Sequence, residues 1–157
     1  MFEILIYLFE THIHGESGIS INYESLTNDL LNIGFQRKDI YNTLRWLKNL
    51  SSCKKNIISS IDLNSHQIST RIYTEEECFR LNSDCRGFLL FLEQLEILTL
   101  DTREVIIDRI MELDVDRLSL EDLKWIVLII LFNIPGCETV YRKLENLLFN
   151  FKIEVIH

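Results

Sequence analysis

Apolar side chains recur at helical spacing from Phe2 to Ile13, and the pattern stops near Gly15 and Gly18, which predicts a first helix. Leu26, Leu30 and Leu31 mark a second amphipathic helix over Tyr23 to Ile33, with Gly34 placed to end it in a left-handed cap. Residues 36 to 50 form a third. The period then changes: Ile57 to Leu63 and Ile68 to Tyr73 alternate apolar and polar around Asn64-Ser65-His66-Gln67, the signature of a β-hairpin with a four-residue loop. From Thr74 onward the helical period returns. Thr74-Glu75-Glu76-Glu77 has capping-box spacing and opens a helix that the pattern carries through Phe88, Leu89, Phe91, Leu92 and Leu95, apolar almost all round as in a buried helix. Asp101 or Thr102 starts another, reaching about Leu113. Ser119-Leu120-Glu121-Asp122 opens the next, which Pro135-Gly136 ends, and a last helix runs from about Glu138 to Phe149.

This order predicts a mainly α protein with a small β-hairpin. Residues 1–73, three helices and a hairpin, have the element order of a winged helix-turn-helix. Residues 74–157 form a helical subdomain, and the absence of any linker or repeat predicts that the two pack together as one compact unit.

Composition supports a folded globule: 157 residues, 47% hydrophobic, are enough for a sizeable interior without metal or disulfide staples. With 16 basic and 24 acidic side chains the net charge is -8, a field that repels phosphate and anionic membranes, so any nucleic-acid contact must be local. MFEILIYLFE lacks a basic leader and holds Glu3 and Glu10 within its apolar run. The longest uncharged apolar run, Trp125 to Ile134, is about half of the roughly 20 residues a bilayer requires. A soluble cytoplasmic protein without membrane contact is expected, with Cys53, Cys78, Cys85 and Cys137 reduced. The chain has no alanine but 22 isoleucines, a skew expected of A/T-rich codons, which lowers the weight that single lysines and asparagines carry.

The charge balance breaks once. Residues 36–55 hold six basic residues and one acidic one. On a helical wheel, Ile40, Leu44, Leu47 and Leu50 of the third helix share one arc, while Arg37, Lys48, Tyr41, Arg45, Lys38, Asn49 and Asn42 fall on the opposite one. In a winged helix the third helix enters the DNA major groove, and such side chains can hold phosphates and read base edges. A solvated amphipathic face has the same look, and by about two to one it is the plainer account.

Other groupings carry less. His12 and His14, at i and i+2, point apart on a helix. Cys78 and Cys85 would sit about 10 Å apart on one helix. Glu104 and Asp108 alternate with Arg103 and Arg109 as ordinary surface ion pairs do. No GxGxxG, Walker, GxSxG, HExxH or zinc-deaminase pattern occurs, so no catalytic, cofactor or metal site is expected. The segment from Ser119 to Gly136, apolar on nearly all faces beyond Trp125, belongs at the centre of the fold.

Taken in order, MFEILIYLFE, GFQRKDIYNTLRWL, RIYTEEECFRL, CRGFLLFLEQLEIL, LDTREVIIDRIMELD and LEDLKWIVLIILFNIPG closely resemble the bacterial Smg family over essentially the whole chain. The resemblance implies no catalytic residues to transfer. The missing catalytic motifs, the acidic field and the winged-helix-like order lead to the expected function, a non-enzymatic module that binds a macromolecule, a protein partner ahead of nucleic acid. In the alternative, nucleic acid is bound through residues 36–55. The candidate contact residues are Arg37, Lys38, Tyr41, Arg45, Lys48, Lys54 and Lys55, with Arg71 on the hairpin.

Overall fold

The computed structural model describes residues 1–13, 22–53 and 71–154. Eight helices occur among them: α1 Phe2–Ile13, α2 Tyr23–Ile33, α3 Arg37–Ser52, α4 Glu75–Arg80, α5 Ser83–Gln94, α6 Leu100–Met111, α7 Leu120–Asn133 and α8 Glu138–Glu154. The chain divides into two compact units, Met1–Asn49 and Leu50–His157, so the division falls within α3 and the expected boundary at residue 73 lies inside the second unit.

The first unit is built by three short helices sharing one core. Ile4 and Leu8 of α1, Leu26 and Leu30 of α2 and Ile40 of α3 are buried together, with Tyr7, Leu31, Phe35, Leu44 and Leu47 packed on them. The entry to α2 is fixed by Asn22, whose side chain accepts from the Glu24 amide at 3.1 Å. Its exit is a Schellman motif: Gly34, at φ +112°, donates to the Leu31 carbonyl at 3.1 Å, and the Phe35 amide donates to Leu30 at 3.2 Å. That turn delivers Phe35 to the core it packs against, and so sets where α3 begins. The left-handed cap expected at Gly34 is present.

The second unit is organised around α7. Leu123, Ile126, Val127, Leu128, Ile129, Ile130 and Leu131 are all buried, as the apolar run predicts, and α7 packs against α5, α6 and α8. Ser119 caps it by accepting from the Asp122 amide at 3.1 Å. The Thr74–Glu77 capping box is complete: the Glu77 amide donates to the Thr74 hydroxyl at 3.2 Å and the Thr74 amide to the Glu77 carboxylate at 2.9 Å.

Two expectations require correction. The helix predicted from Glu75 through Leu95 is two helices, interrupted at Leu81 and Asn82. Leu81 is extended, fully buried, and forms an isolated parallel bridge with Leu118, whose amide donates to the Arg80 carbonyl at 3.0 Å. Asn82 then caps α5 by accepting from the Cys85 amide at 2.9 Å, so its side chain competes successfully with helix continuation. Nor is α5 buried all round, since Leu90 and Phe91 are exposed, as is Leu95 just beyond its end. The hairpin strands lie outside the described residues up to Thr70, and Arg71 to Tyr73 form no strand. What the structure carries of the winged-helix expectation is the three-helix unit alone. No helix among the described residues is long and apolar enough to cross a membrane.

Candidate functional site

α3 separates its faces sharply. Ile40, Trp46 and Leu50 are buried, and so is Thr43, whose hydroxyl is satisfied by donating to the Asp39 carbonyl one turn back at 2.7 Å. Trp46, at the border of the apolar arc on the wheel, thus belongs to the interior. On the other side Arg37, Lys38, Tyr41, Arg45 and Lys48 are all exposed. Tyr41 is 66% exposed, and the Arg45 guanidinium sits over its ring, 5.7 Å from the centroid. Cation–π contact of this kind preorganises both side chains on the surface without burying either. All four basic residues of Met1–Asn49 lie on this helix, whereas five of that unit's six acidic residues lie elsewhere in its sequence. The face is therefore a segregated basic and aromatic stripe. Lys54 and Lys55 fall outside the described residues.

Arg71 has a different environment. Its Nη1 and Nη2 donate to the two Glu77 carboxylate oxygens at 2.7 and 2.9 Å, and its Nε and Nη2 donate to those of Glu104 at 2.7 and 3.0 Å. Its guanidinium also covers the Tyr73 ring at 4.6 Å. The planar fork is matched twice, so its donors serve the fold of the second unit. Glu104 continues the chain of charges to Arg103, which donates from Nε and Nη2 at 3.0 and 2.8 Å and reaches Glu93 through Nη1 at 2.7 Å. The result is a linear array, Glu77–Arg71–Glu104–Arg103–Glu93. Hydrogen bonding to Arg71 holds the Glu77 carboxyl below its usual range. For Glu104 burial pushes upward, but the two guanidiniums, Arg71 and then Arg103, outweigh it and lower the carboxyl.

The array corrects the reading of Arg103 and Glu104 as ordinary surface ion pairs, because Arg103 is buried. Local pattern could not reveal this: the partners of Arg103 include Glu93 ten residues away, and Arg71 enters through Glu104 from 33 residues away. Arg109 keeps a short-range pair with Glu112 at 3.0 Å. Arg80 donates to the carbonyls of Met111 and Leu113 at 2.9 and 2.7 Å, satisfying the free end of α6 with a cation where the helix dipole favours one.

The remaining candidates do not assemble. Cys78 and Cys85 lie on separate helices, and burial raises the Cys85 and Cys137 thiols, keeping them protonated and unreactive. His14 lies outside the described residues. Among the described residues no three His, Cys, Asp or Glu side chains come together as a metal site. A shallow open depression of about 390 Å³ is lined by Tyr23, Glu24, Thr27 and Asn28 of α2, with no grouping suited to chemistry.

A family model described as "Protein of unknown function (DUF494)" matches residues 1–157. The chain is 74% identical over 157 residues, the full length of both sequences, to the curated "Protein Smg" of Buchnera aphidicola subsp. Acyrthosiphon pisum (strain Tuc7). It is 50% identical, again over 157 residues and both full lengths, to those of Klebsiella pneumoniae (strain 342) and Escherichia coli O7:K1. No solved structure matches.

Proposed function

The chain belongs to the Smg (DUF494) family, and we propose, from the surface of α3, that it is a non-enzymatic cytoplasmic module that docks a protein partner on the exposed face of that helix. The observation that carries this reading is the segregated stripe on α3: four cations around an exposed tyrosine, on a chain of net charge -8. Tyrosine and arginine are among the residue types that anchor protein interfaces, each joining apolar contact area to a polar head. α1, α2 and α3 are also the three helices that the winged-helix order expected from the sequence begins with, an order that occurs in protein-binding modules as well as in nucleic-acid readers.

A second reading is nucleic-acid binding through the same stripe together with Lys54 and Lys55. The local excess of positive charge favours it. Against it stand the acidic remainder of the chain and Arg71, whose donors are engaged by Glu77 and Glu104.

Affinity purification of the tagged chain from its own cells, beside a Lys38→Glu/Arg45→Glu variant, tests the reading. The expected result is a stoichiometric protein retained by the wild-type chain and lost by the variant. Recovery of the same proteins with both, or of none, counts against it. Salt-sensitive anisotropy of labelled duplex DNA, abolished in the variant, would favour the second reading.

A further inference from the structure

We propose that the occupant of α3 is an acidic amphipathic helix of the partner protein, laid along the stripe with its carboxylates repeating at helical spacing and its apolar seam on Tyr41. This inference rests on the docking role assigned to α3 above and specifies the chemistry of what docks there.

Three observations carry it. The first is spacing. Arg37, Tyr41, Arg45 and Lys48 are separated by four, four and three residues, so they form one ridge about 16 Å long, a little over three turns. A second helix presents its own side chains at the same repeat, and basic against acidic ridges of this kind set partner choice in paired helices. The second is availability. Arg71, Arg80, Arg103, Arg109 and Lys124 of the second unit are ion-paired with carboxylates of their own chain; Arg37, Lys38 and Arg45, like Arg86, Arg117, Arg142 and Lys143 of the second unit, make no ion pair among the described residues, and the first three share the exposed side of α3. Their charges remain to be complemented from outside. The third is the anchor. Tyr41 stands in the middle of the ridge, 66% exposed, with Arg45 over its ring, so covering it removes apolar area from water while the Arg45 donors stay free to meet a carboxylate.

Extent decides between this occupant and a duplex. A short acidic helix confines its charge to the ridge, and beyond a Debye length of about 8 Å it is insulated from the acidic remainder of the chain. A duplex carries phosphates well past a ridge of about 16 Å, into the field of a chain whose 24 acidic side chains outnumber its 16 basic ones. The observations favour the helix.

The test uses the full chain and three labelled probes in fluorescence anisotropy at physiological salt. The first is a synthetic helical peptide with glutamates at i, i+4, i+7 and i+11 beside a leucine seam. The second is a scramble of the same composition, and the third is duplex DNA. The expected result is saturable binding of the patterned peptide, at least about tenfold weaker binding of the scramble, and a loss of about tenfold or more on Tyr41→Ala and on Arg45→Glu. Circular dichroism of both variants confirms that they are folded, as their exposure predicts. Equal binding of patterned and scrambled peptides, or indifference to Tyr41→Ala, overturns the helical occupant while leaving α3 as a docking face. Binding of duplex alone, lost in Arg45→Glu, also overturns it and moves the face to nucleic acid. If no probe responds to Arg45→Glu and the purification also yields no variant-sensitive partner, the docking role itself fails.

Discussion

Replacing Arg103 by methionine isolates the energetic role of the charge array. Methionine keeps most of the apolar stem that arginine packs, so the change removes charge and donors with little loss of volume. The side chains of Arg103 and Glu93 are 9% and 15% accessible, and Glu93 accepts from Arg103 at 2.7 Å. Glu104 is 43% accessible and retains its two contacts with Arg71. The damage therefore concentrates at Glu93, left as a largely buried carboxylate without that donor. Breaking one side of a fully buried pair costs about 3–5 kcal/mol, and residual access of water to Glu93 places this case at about 2–4 kcal/mol. At the mean of about 3 kcal/mol, a chain of this size loses about 6–12 °C in Tm. Urea titration followed by circular dichroism measures the loss as a lower midpoint at unchanged slope. The decisive companion is Arg103→Met/Glu93→Leu, which removes both charges and should recover at least about 1 kcal/mol relative to Arg103→Met alone. An Arg103→Met chain within about 0.5 kcal/mol of wild type, or a double variant as unstable as the sum of the single ones, would refute the assignment of Arg103 as a buried partner of Glu93.

Three further outcomes follow from the same structure. Glu77 and Glu104 have folded carboxyls lowered below the ordinary 4.5, so the stability they contribute is complete above that value and is lost as pH falls through it towards their folded values. Acid titration of stability should thus steepen below about pH 4.5 in wild type and flatten in Arg71→Met, with identical slopes counting against the linkage. Gly34→Ala should cost about 1–2 kcal/mol by urea titration, because φ is +112° there while a Cβ meets nothing within 4 Å, so the backbone alone resists; a neutral result would remove the left-handed cap as a constraint. Ile126→Ala, at a fully buried position on α7, should cost about 2–5 kcal/mol, whereas a loss under about 1 kcal/mol would contradict the central placement of that helix.

Much of this was legible in the chain because its signals are local. Gly34, Thr74 and Ser119 punctuate helices through bonds made within a few residues, and Pro135 by lacking the N–H that another turn would need; each is found at an end or beside one. The polar face of α3 was legible for the same reason, since a wheel needs only the helix itself. The interruption after Arg80 was hidden by spacing: Leu81, Cys85, Leu89 and Leu92 are all buried and keep a four, four, three rhythm, so the apolar stripe runs through the break without changing phase. Asn82, whose side chain caps α5, is the local cause of the break, and the apolar rhythm alone does not reveal it. The environments of Arg103 and Arg71 are not legible locally because their partners are chosen by tertiary contact, and Arg103, with Asp101 and Glu104 close by in sequence, reads as solvated unless those contacts are known. Trp46 shows the same limit on a smaller scale, as its border position on the wheel suited either environment.

The enclosure of α7 by three other helices has an evolutionary consequence. A segment enclosed in this way constrains the sum of its side-chain volumes more tightly than their identities, so exchanges among isoleucine, leucine and valine there are nearly free when a neighbour compensates. A/T-biased mutation supplies that kind of exchange. The accumulation of isoleucine in a chain without alanine can therefore proceed through its most buried helix as substitution between equals, while truncation to a small residue is purged.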